Sequence, residues 1–289
     1  MTSRILTILL VTISASAGTP QAPSPWTPPD EPVYVVAPNN TVEGYEPSST
    51  KFGDLLMVQI WPSVPAPSGG SRRVDGTRLY EKGKLAALFV DGQRQGEVRI
   101  DAVKEHHCDS AAALVVPTAA VSTKTVGLAT NAGGIQSRPG SRRNPTAFER
   151  SSAVRLATQE FLRNNVAASL MTRINIKSLV AIEVDGSKEK TLVGSFFAQT
   201  KMERHDIFLI ARVSGSRVSL EYSRYGETKD LEDFKDHRSI GLIDHLDLNR
   251  DRSDEIVLRV GGYESEGYEI YTRHLGKWQL VATGGEAGC

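Results

Sequence analysis

Residues 244–258, DHLDLNRDRSDEIVL, are the stretch around which the rest of the chain is interpreted. Counted from Asp247, side chains that carry oxygen fall at positions 1, 3, 5 and 9, and an apolar segment begins directly afterwards. This spacing predicts a short loop that folds around a hard cation such as calcium and then leads into a strand. The alternative is a polar turn held by side-chain-to-backbone hydrogen bonds, with no metal.

The composition restricts the class of protein. The 289 residues include 34 basic and 34 acidic side chains, so charge gives no reason to expect binding to nucleic acid or to an anionic membrane surface. A hydrophobic content of 39% with zero net charge is typical of a folded chain. Because several segments of the second half alternate between apolar and polar residues, we expect a fold that is mainly β with one clear helix.

The first 50 residues predict export. Arg4 precedes the apolar run 5–13, and Ala15 and Ala17 satisfy the small-residue rule for a signal peptidase, so residues 1–17 are interpreted as a signal peptide. No later stretch is apolar for about 18 residues, so no membrane span is expected. Residues 18–50 are rich in proline and predict an extended tether. Within it, Trp26 either docks the tether onto its own domain or anchors a partner peptide.

Residues 51–125 predict an N-terminal β region. The apolar run at 85–90 is followed by the turn pair Asp91–Gly92, and residues 97–103 then alternate strictly, as a half-buried strand does. Residues 126–146 contain glycine, proline and arginine and are interpreted as a linker.

A cluster of soft metal ligands lies at His106, His107, Cys108 and Asp109. Neighbouring residues of a strand point to opposite faces, which makes joint binding of one ion by both histidines difficult. The cluster nevertheless supports an alternative function, an exported hydrolase with its active site in this region. In an oxidising compartment, we predict instead that Cys108 forms a disulfide with Cys289.

A helix is expected at the start of the region 147–289. Thr146 and Glu149 have the spacing of a capping box, in which each side chain bonds a backbone amide of the other's turn. Helical periodicity follows, with Ala153, Ala157 and Phe161 on one face. This stripe is typical of a packing face.

After the helix, the sequence contains two segments that resemble each other. Residues 182–187 align with residues 246–251, and Asp247 lies 64 positions after Glu183. Two later segments, each with a turn glycine, also align. The chain therefore contains two β units of roughly 60 residues, at about 176–226 and 240–288.

The second unit resembles the FG-GAP or VCBS type of calcium-binding repeat, whose motif is Asp-x-Asp-x-Asp-Gly-x-x-Asp/Glu followed by an apolar strand. The resemblance implies meander-like, blade-shaped β units, although two repeats are too few for a closed propeller. Arg252 stands where the motif prefers a glycine in a left-handed conformation. The implied calcium ligands are the side chains of Asp247, Asn249, Asp251 and Glu255 and the carbonyl of Ser253.

No catalytic motif such as G-x-S-x-G is present. Four aromatic residues, Tyr263, Tyr268, Tyr271 and Trp278, would suit a platform for sugar rings, but at alternating strand positions such residues more often pack across strands. The sequence favours an exported, calcium-stabilised β module that binds a protein or a glycan and does no chemistry. We expect no nucleic-acid partner.

Overall fold

The structure is a computed structural model that describes residues 26–38, 55–62, 79–105, 111–118, 121–122, 125–135, 142–187, 189–229, 239–262 and 265–288. The first six strands are β1 (Val33–Pro38), β2 (Leu55–Trp61), β3 (Leu85–Val90), β4 (Gln93–Glu105), β5 (Ala111–Pro117) and β6 (Gly127–Thr130). Helix α1 (Ala147–Arg163) and a short 3-10 helix (Ala168–Arg173) come next. The remaining strands are β7 (Asn175–Ile182), β8 (Lys190–Gln199), β9 (Glu203–Ser214), β10 (Arg217–Lys229), β11 (Ser239–Leu246), β12 (Glu255–Gly262), β13 (Ser265–His274) and β14 (Lys277–Gly288).

The first six strands close into a small barrel with the order β1-β2-β5-β4-β3-β6. Its interior is filled because strands such as β4 alternate: Val98 and Ile100 are buried, whereas Arg99 between them is exposed. The predicted hairpin at Asp91–Gly92 joins β3 to β4. The buried residues of the barrel interior are Tyr34, Val36, Leu55, Met57, Tyr80, Ala86, Leu88, Val98, Ile100, Ala113, Val115 and Ala129.

Two barrel strands lie where the sequence predicted connecting segments. Strand β1 falls within the expected tether 18–50, and β6 falls within the expected linker 126–146. All residues of both strands are buried. In β1 this follows from its place, because Tyr34 faces the barrel interior while Val33 and Val35 pack against a neighbouring sheet. A strand that is buried on both faces shows no alternation, which is why the sequence did not reveal it.

Helix α1 begins as the sequence predicted. The Thr146 hydroxyl accepts a hydrogen bond from the Glu149 amide, and the Glu149 carboxylate accepts one from the Thr146 amide. Both carboxylate oxygens of Glu149 also accept hydrogen bonds from Arg143, at 2.7 Å each. This cationic partner and the two bonds at Thr146 outweigh burial and hold the pKa of Glu149 at about 2. The capping box therefore anchors the start of the helix.

Strands β7–β10 and β11–β14 form two four-stranded antiparallel sheets, named here the first sheet and the second sheet. Each sheet is a meander in which consecutive strands pair. Helix α1 covers one face of the first sheet through Ala153, Ala157 and Phe161. The other face packs on the second sheet, whose far side packs on the barrel. The layers therefore run helix, first sheet, second sheet and barrel.

The contact between the two sheets combines apolar packing with hydrogen bonds and an ion pair. Tyr271 and Trp278 are buried there, at 0% and 3% exposure, among aliphatic residues of the first sheet. The indole nitrogen of Trp278 donates to the Glu221 carboxylate at 3.0 Å, and Arg273 pairs with the same carboxylate. Tyr268 is buried on the barrel side. Tyr268, Tyr271 and Trp278 are therefore packing residues, as predicted, but they pack between layers and not across strands, and Tyr263 lies outside the described residues.

The N-terminal segment also packs on the protein. Trp26 meets Trp61 edge to face, with ring centroids 6.4 Å apart, and both rings contact the core between the barrel and the second sheet. The Trp61 indole donates to the Pro29 carbonyl at 3.3 Å. Of the two interpretations of Trp26, docking onto its own domain is the one observed.

The predicted fold class, mainly β with one long helix and meander-like sheets, is confirmed. The described strands form one closed barrel and two open sheets, and they do not form a propeller. No helix among the described residues is both long enough and apolar enough to cross a membrane. The signal peptide at 1–17, the cluster at His106, His107, Cys108 and Asp109, and Cys289 lie outside the described residues, so the predictions for them stay predictions.

Candidate calcium loop

The loop 247–254 joins β11 to β12. Leu246, the last residue of β11, pairs with Glu255, the first residue of β12, so the loop closes directly onto the strand ladder. Leu248 is fully buried in the core between the second sheet and the barrel. The Asp254 amide donates to the Val184 carbonyl of the first sheet's own loop at 2.6 Å. The loop therefore lies at the junction of both sheets and the barrel.

Side chains with oxygen atoms shape the loop. The Asn249 side-chain oxygen accepts from the Asp251 amide at 2.9 Å, and the Asp251 carboxylate accepts from the Ser253 amide at 2.7 Å. Asp247, which is 5% exposed, accepts from the Arg252 amide at 3.0 Å. These bonds turn the backbone tightly around the acidic side chains.

Two arginines hold the left-handed conformation that the loop requires. Arg250 has φ 65° and Arg252 has φ 73°. A residue with a Cβ atom pays about 1 kcal/mol or more for this conformation, so the rest of the loop must impose it. The Arg250 side chain leaves the loop, pairs with Asp30 at 2.7 Å and packs against Gly134. Its charge is therefore directed at the N-terminal segment and not at the acidic groups.

Glu255 is the most deeply placed of the predicted ligands, with 0% exposure. One carboxylate oxygen accepts from the Leu248 and Asn249 amides at 2.8 and 3.2 Å, and the other accepts from the Thr272 hydroxyl at 2.8 Å. All three donors are neutral. Burial, and after it the charge of Asp251, raises the pKa of Glu255 to about 8. Among the described residues no lysine or arginine pairs with this carboxylate.

The corresponding loop of the first sheet is described at residues 183–187 and 189, and these residues repeat part of the same hydrogen-bond pattern. Ile182 pairs with Thr191, just as Leu246 pairs with Glu255. The Asp185 carboxylate accepts from the Ser187 amide at 3.0 Å, and the Ser187 hydroxyl accepts from the Glu189 amide at 3.1 Å. These two bonds repeat those at Asn249 and Asp251, 64 positions later in the chain. Equivalent positions of the two loops therefore make equivalent hydrogen bonds.

The two loops differ in how their carboxylates are neutralised. In the first loop, Lys190 pairs with Glu183 and Arg212 pairs with Glu189. The Asp185 carboxylate lies 3.8 Å from an Arg273 nitrogen. In the second loop, the position that corresponds to Lys190 is Asp254, and the position that corresponds to Thr191 is Glu255. The second loop thus has more acidic groups and lacks the lysine.

The residues of the second loop fit calcium in chemical type. Carboxylate and amide oxygens are the ligands that this ion prefers. The structure places Asp247, Asn249, Asp251 and Glu255 in one hydrogen-bonded turn, but oxygen atoms of Asp247, Asp251 and Glu255 do not all lie within 4.8 Å of one another. Ser253 contributes a backbone amide to that turn. Calcium would supply the positive charge that the neutral donors around Glu255 do not supply.

A buried acid–base pair lies beside the loop and was not predicted from the sequence. His245 and Asp254 are 1% and 2% exposed, and the His245 Nδ1 lies 2.7 Å from an Asp254 carboxylate oxygen. The ring packs beneath Gly92 of the barrel hairpin, and the Asp91 amide donates to Asp244 at 3.0 Å. The barrel and the second sheet therefore meet at His245 and Asp244, and the His245–Asp254 pair is shielded from solvent.

Comparisons with protein-family models, with curated proteins and with solved structures find no match.

Proposed function

We propose that this protein is an exported, β-rich binding module whose second-sheet loop is stabilised by calcium. The ligands are the side chains of Asp247, Asn249, Asp251 and Glu255 and the carbonyl of Ser253. The observation that carries the proposal is the environment of Glu255, a fully buried carboxylate whose three donors are all neutral. A buried carboxylate in such a place is costly unless a positive charge accompanies it.

The first loop supports this interpretation because a lysine side chain supplies positive charge beside one of its carboxylates. There, the Lys190 ammonium pairs with the Glu183 carboxylate, next to a buried Thr191. The second loop has a similar backbone but a buried glutamate in place of the threonine and an aspartate in place of the lysine. A bound cation takes the role in the second loop that the ammonium group takes in the first.

The proposed role of calcium is to stabilise the fold. The loop contacts the barrel core through Leu248, the N-terminal segment through Arg250 and the first sheet through Asp254. A cation that binds only the folded loop stabilises all three contacts by mass action. The binding activity itself is assigned to the rest of the surface. A protein partner is favoured over a glycan because Tyr268, Tyr271 and Trp278, which would stack on sugar rings, are buried.

Thermal unfolding in calcium and in chelator tests the proposal. The two left-handed arginines favour weak binding, with a dissociation constant of about 0.1 mM, at the affinity of extracellular calcium modules. At about 2 mM free calcium this adds roughly 1.8 kcal/mol to the free energy of unfolding. For a chain of this length it raises the Tm by about 3–4 °C.

A matched pair of variants locates the effect. Asp251→Ala should remove the calcium-dependent rise in Tm, whereas Asp185→Ala, in the corresponding turn of the first loop, should keep it. Equal Tm values for the wild type in calcium and in chelator would leave the loop as a polar turn without a metal.

Export is part of the same proposal and has its own test. The mature chain should begin at Gly18, after the small residues Ala15 and Ala17. N-terminal sequencing of protein recovered from outside the cytoplasm measures this directly. Recovery of the chain with its original N-terminus would contradict the assignment.

A further inference from the structure

A second group of potential metal ligands lies on the first sheet, on the face that carries helix α1. Glu203 and His205 are two residues apart on β9, so their side chains point to the same face. Glu227 of β10 is directly opposite His205 in the strand register. One ligand atom from each of the three residues lies within 4.8 Å of the other two. We name Glu203, His205 and Glu227 the β9–β10 triad.

The His205 ring is buried and has a hydrogen-bond partner at one nitrogen, as histidine ligands of metals usually have. His205 is 6% exposed, and its Nδ1 lies 2.8 Å from the Tyr225 hydroxyl, with the two rings stacked. If Nδ1 carries the proton and donates to that hydroxyl, Nε2 presents its lone pair. Within the described part of the chain Nε2 makes no hydrogen bond, and a Glu203 carboxylate oxygen lies 3.5 Å from it. A partner on the far ring nitrogen is the usual support of a histidine ligand.

We propose that the β9–β10 triad binds a first-row divalent transition-metal ion, with zinc as the best match. One imidazole nitrogen and two carboxylate oxygens are a ligand set for such an ion, whereas calcium prefers oxygen alone. Zinc bonds of about 2.1 Å in tetrahedral geometry place neighbouring ligand atoms about 3.4 Å apart. The separation of 3.5 Å between His205 and Glu203 already meets this requirement. Three protein ligands leave one position for water or for another molecule.

The charges around the triad leave room for a cation. The Lys229 ammonium lies 3.4 Å from the Glu227 carboxylate, but the lysine side chain is 68% exposed and is free to swing into solvent. Arg204, next to His205 on the strand, points to the opposite face, where it pairs with Asp206 and covers the Phe197 ring. Among the described residues, the two glutamates therefore face one mobile competing charge, that of Lys229. The metal displaces that ammonium from Glu227.

Zinc titration of the full chain, without a histidine tag, tests the proposal. We expect one zinc ion per chain by calorimetry, and a visible absorption band when cobalt is used as the probe. Glu227→Gln, at an exposed position, should weaken zinc binding at least about tenfold without affecting the fold. Tyr225→Phe should weaken it by about tenfold, as the loss of a supporting hydrogen bond does. Lys229→Ala should strengthen it, because the competing charge is removed.

Three controls separate this site from the others. His106→Asn combined with His107→Asn removes the soft ligands of the N-terminal region, and His274→Asn removes a histidine on another strand; both variants should bind zinc like the wild type. Saturating calcium should not compete. The proposal fails if the wild type binds no zinc below about 0.1 mM, if Glu227→Gln binds like the wild type, or if the His106 and His107 variant is the one that loses the ion. None of these outcomes depends on the calcium loop.

Discussion

Replacement of the buried Glu255 by glutamine should raise stability in chelator and reduce the stability that calcium adds. The glutamine fits the site: its oxygen accepts from the Leu248 and Asn249 amides, and its NH2 group donates to the Thr272 hydroxyl, which is able to accept as well as donate. The variant therefore removes a charge and keeps the hydrogen bonds. A neutral side chain no longer requires a cation beside it.

Calcium should stabilise the variant less than it stabilises the wild type. If calcium binds about tenfold more weakly, its contribution at about 2 mM falls from roughly 1.8 to roughly 0.6 kcal/mol. In chelator, the variant should become more stable than the wild type as the pH rises. The pKa of Glu255 in the folded protein is about 8, above its ordinary 4.5, so the wild type has its full stability below pH 4.5 and loses stability as the pH rises from 4.5 through 8.

The size of the reversal follows from the pKa shift. One pKa unit corresponds to about 1.4 kcal/mol, so even half of the shift makes Glu255→Gln about 2 kcal/mol more stable than the wild type in chelator at pH 9. The two proteins should be about equally stable at about pH 4, where Glu255 is mostly protonated in both the folded and the unfolded wild type. Urea unfolding at both pH values, with and without calcium, measures all four differences. If the variant is less stable than the wild type in chelator at pH 9, the neutral donors alone suffice for the carboxylate, and the reason for a cation is lost.

Three further predictions concern the rest of the fold. Glu149→Gln should lower the free energy of unfolding by about 1 kcal/mol at pH 7, a modest loss because the arginine partner is partly exposed. The loss should vanish as the pH falls from 4.5 through 2, because the wild-type carboxylate is then protonated too. Urea unfolding across this pH range measures it. Gly284→Ala should cost about 1–3 kcal/mol or more, measured by the same assay, because its Cβ would lie 2.3 Å from the Ile60 carbonyl oxygen of the barrel. Cys108 and Cys289 should appear as one linked pair in mass spectrometry of non-reduced peptides, and alkylation of both thiols in the native protein would contradict this.

Local features of the sequence predicted local structure well. The capping box at Thr146 and Glu149, the hairpin at Asp91–Gly92 and the alignment of the two loops all recur in the structure. Each depends on hydrogen bonds between residues close in the chain, so a short stretch of sequence is enough to predict it. The left-handed conformation of Arg252 also follows the motif, although the residue is not glycine.

Features that depend on register were not predictable in the same way. In β10 an extra residue, Glu221, moves Tyr222 to the opposite face from Leu220, so the regular alternation of a strand is broken. The extra residue Val281 does the same in β14, 60 positions later. The β9–β10 triad has a similar origin, because Glu227 meets His205 only through the pairing of two long strands. No spacing in the sequence reveals such a contact before the register is known.

A calcium titration followed by 1H–15N NMR tests the central claim, that one loop is neutralised by a lysine and its repeat by a cation. The account predicts that the amide resonances of Asn249, Asp251 and Ser253 shift together with a dissociation constant of about 0.1 mM. The amides of Ser187 and Glu189, in the loop that Lys190 already neutralises, should stay in place. Shifts of equal size in both loops, or no shift in either at several millimolar calcium, would contradict the account.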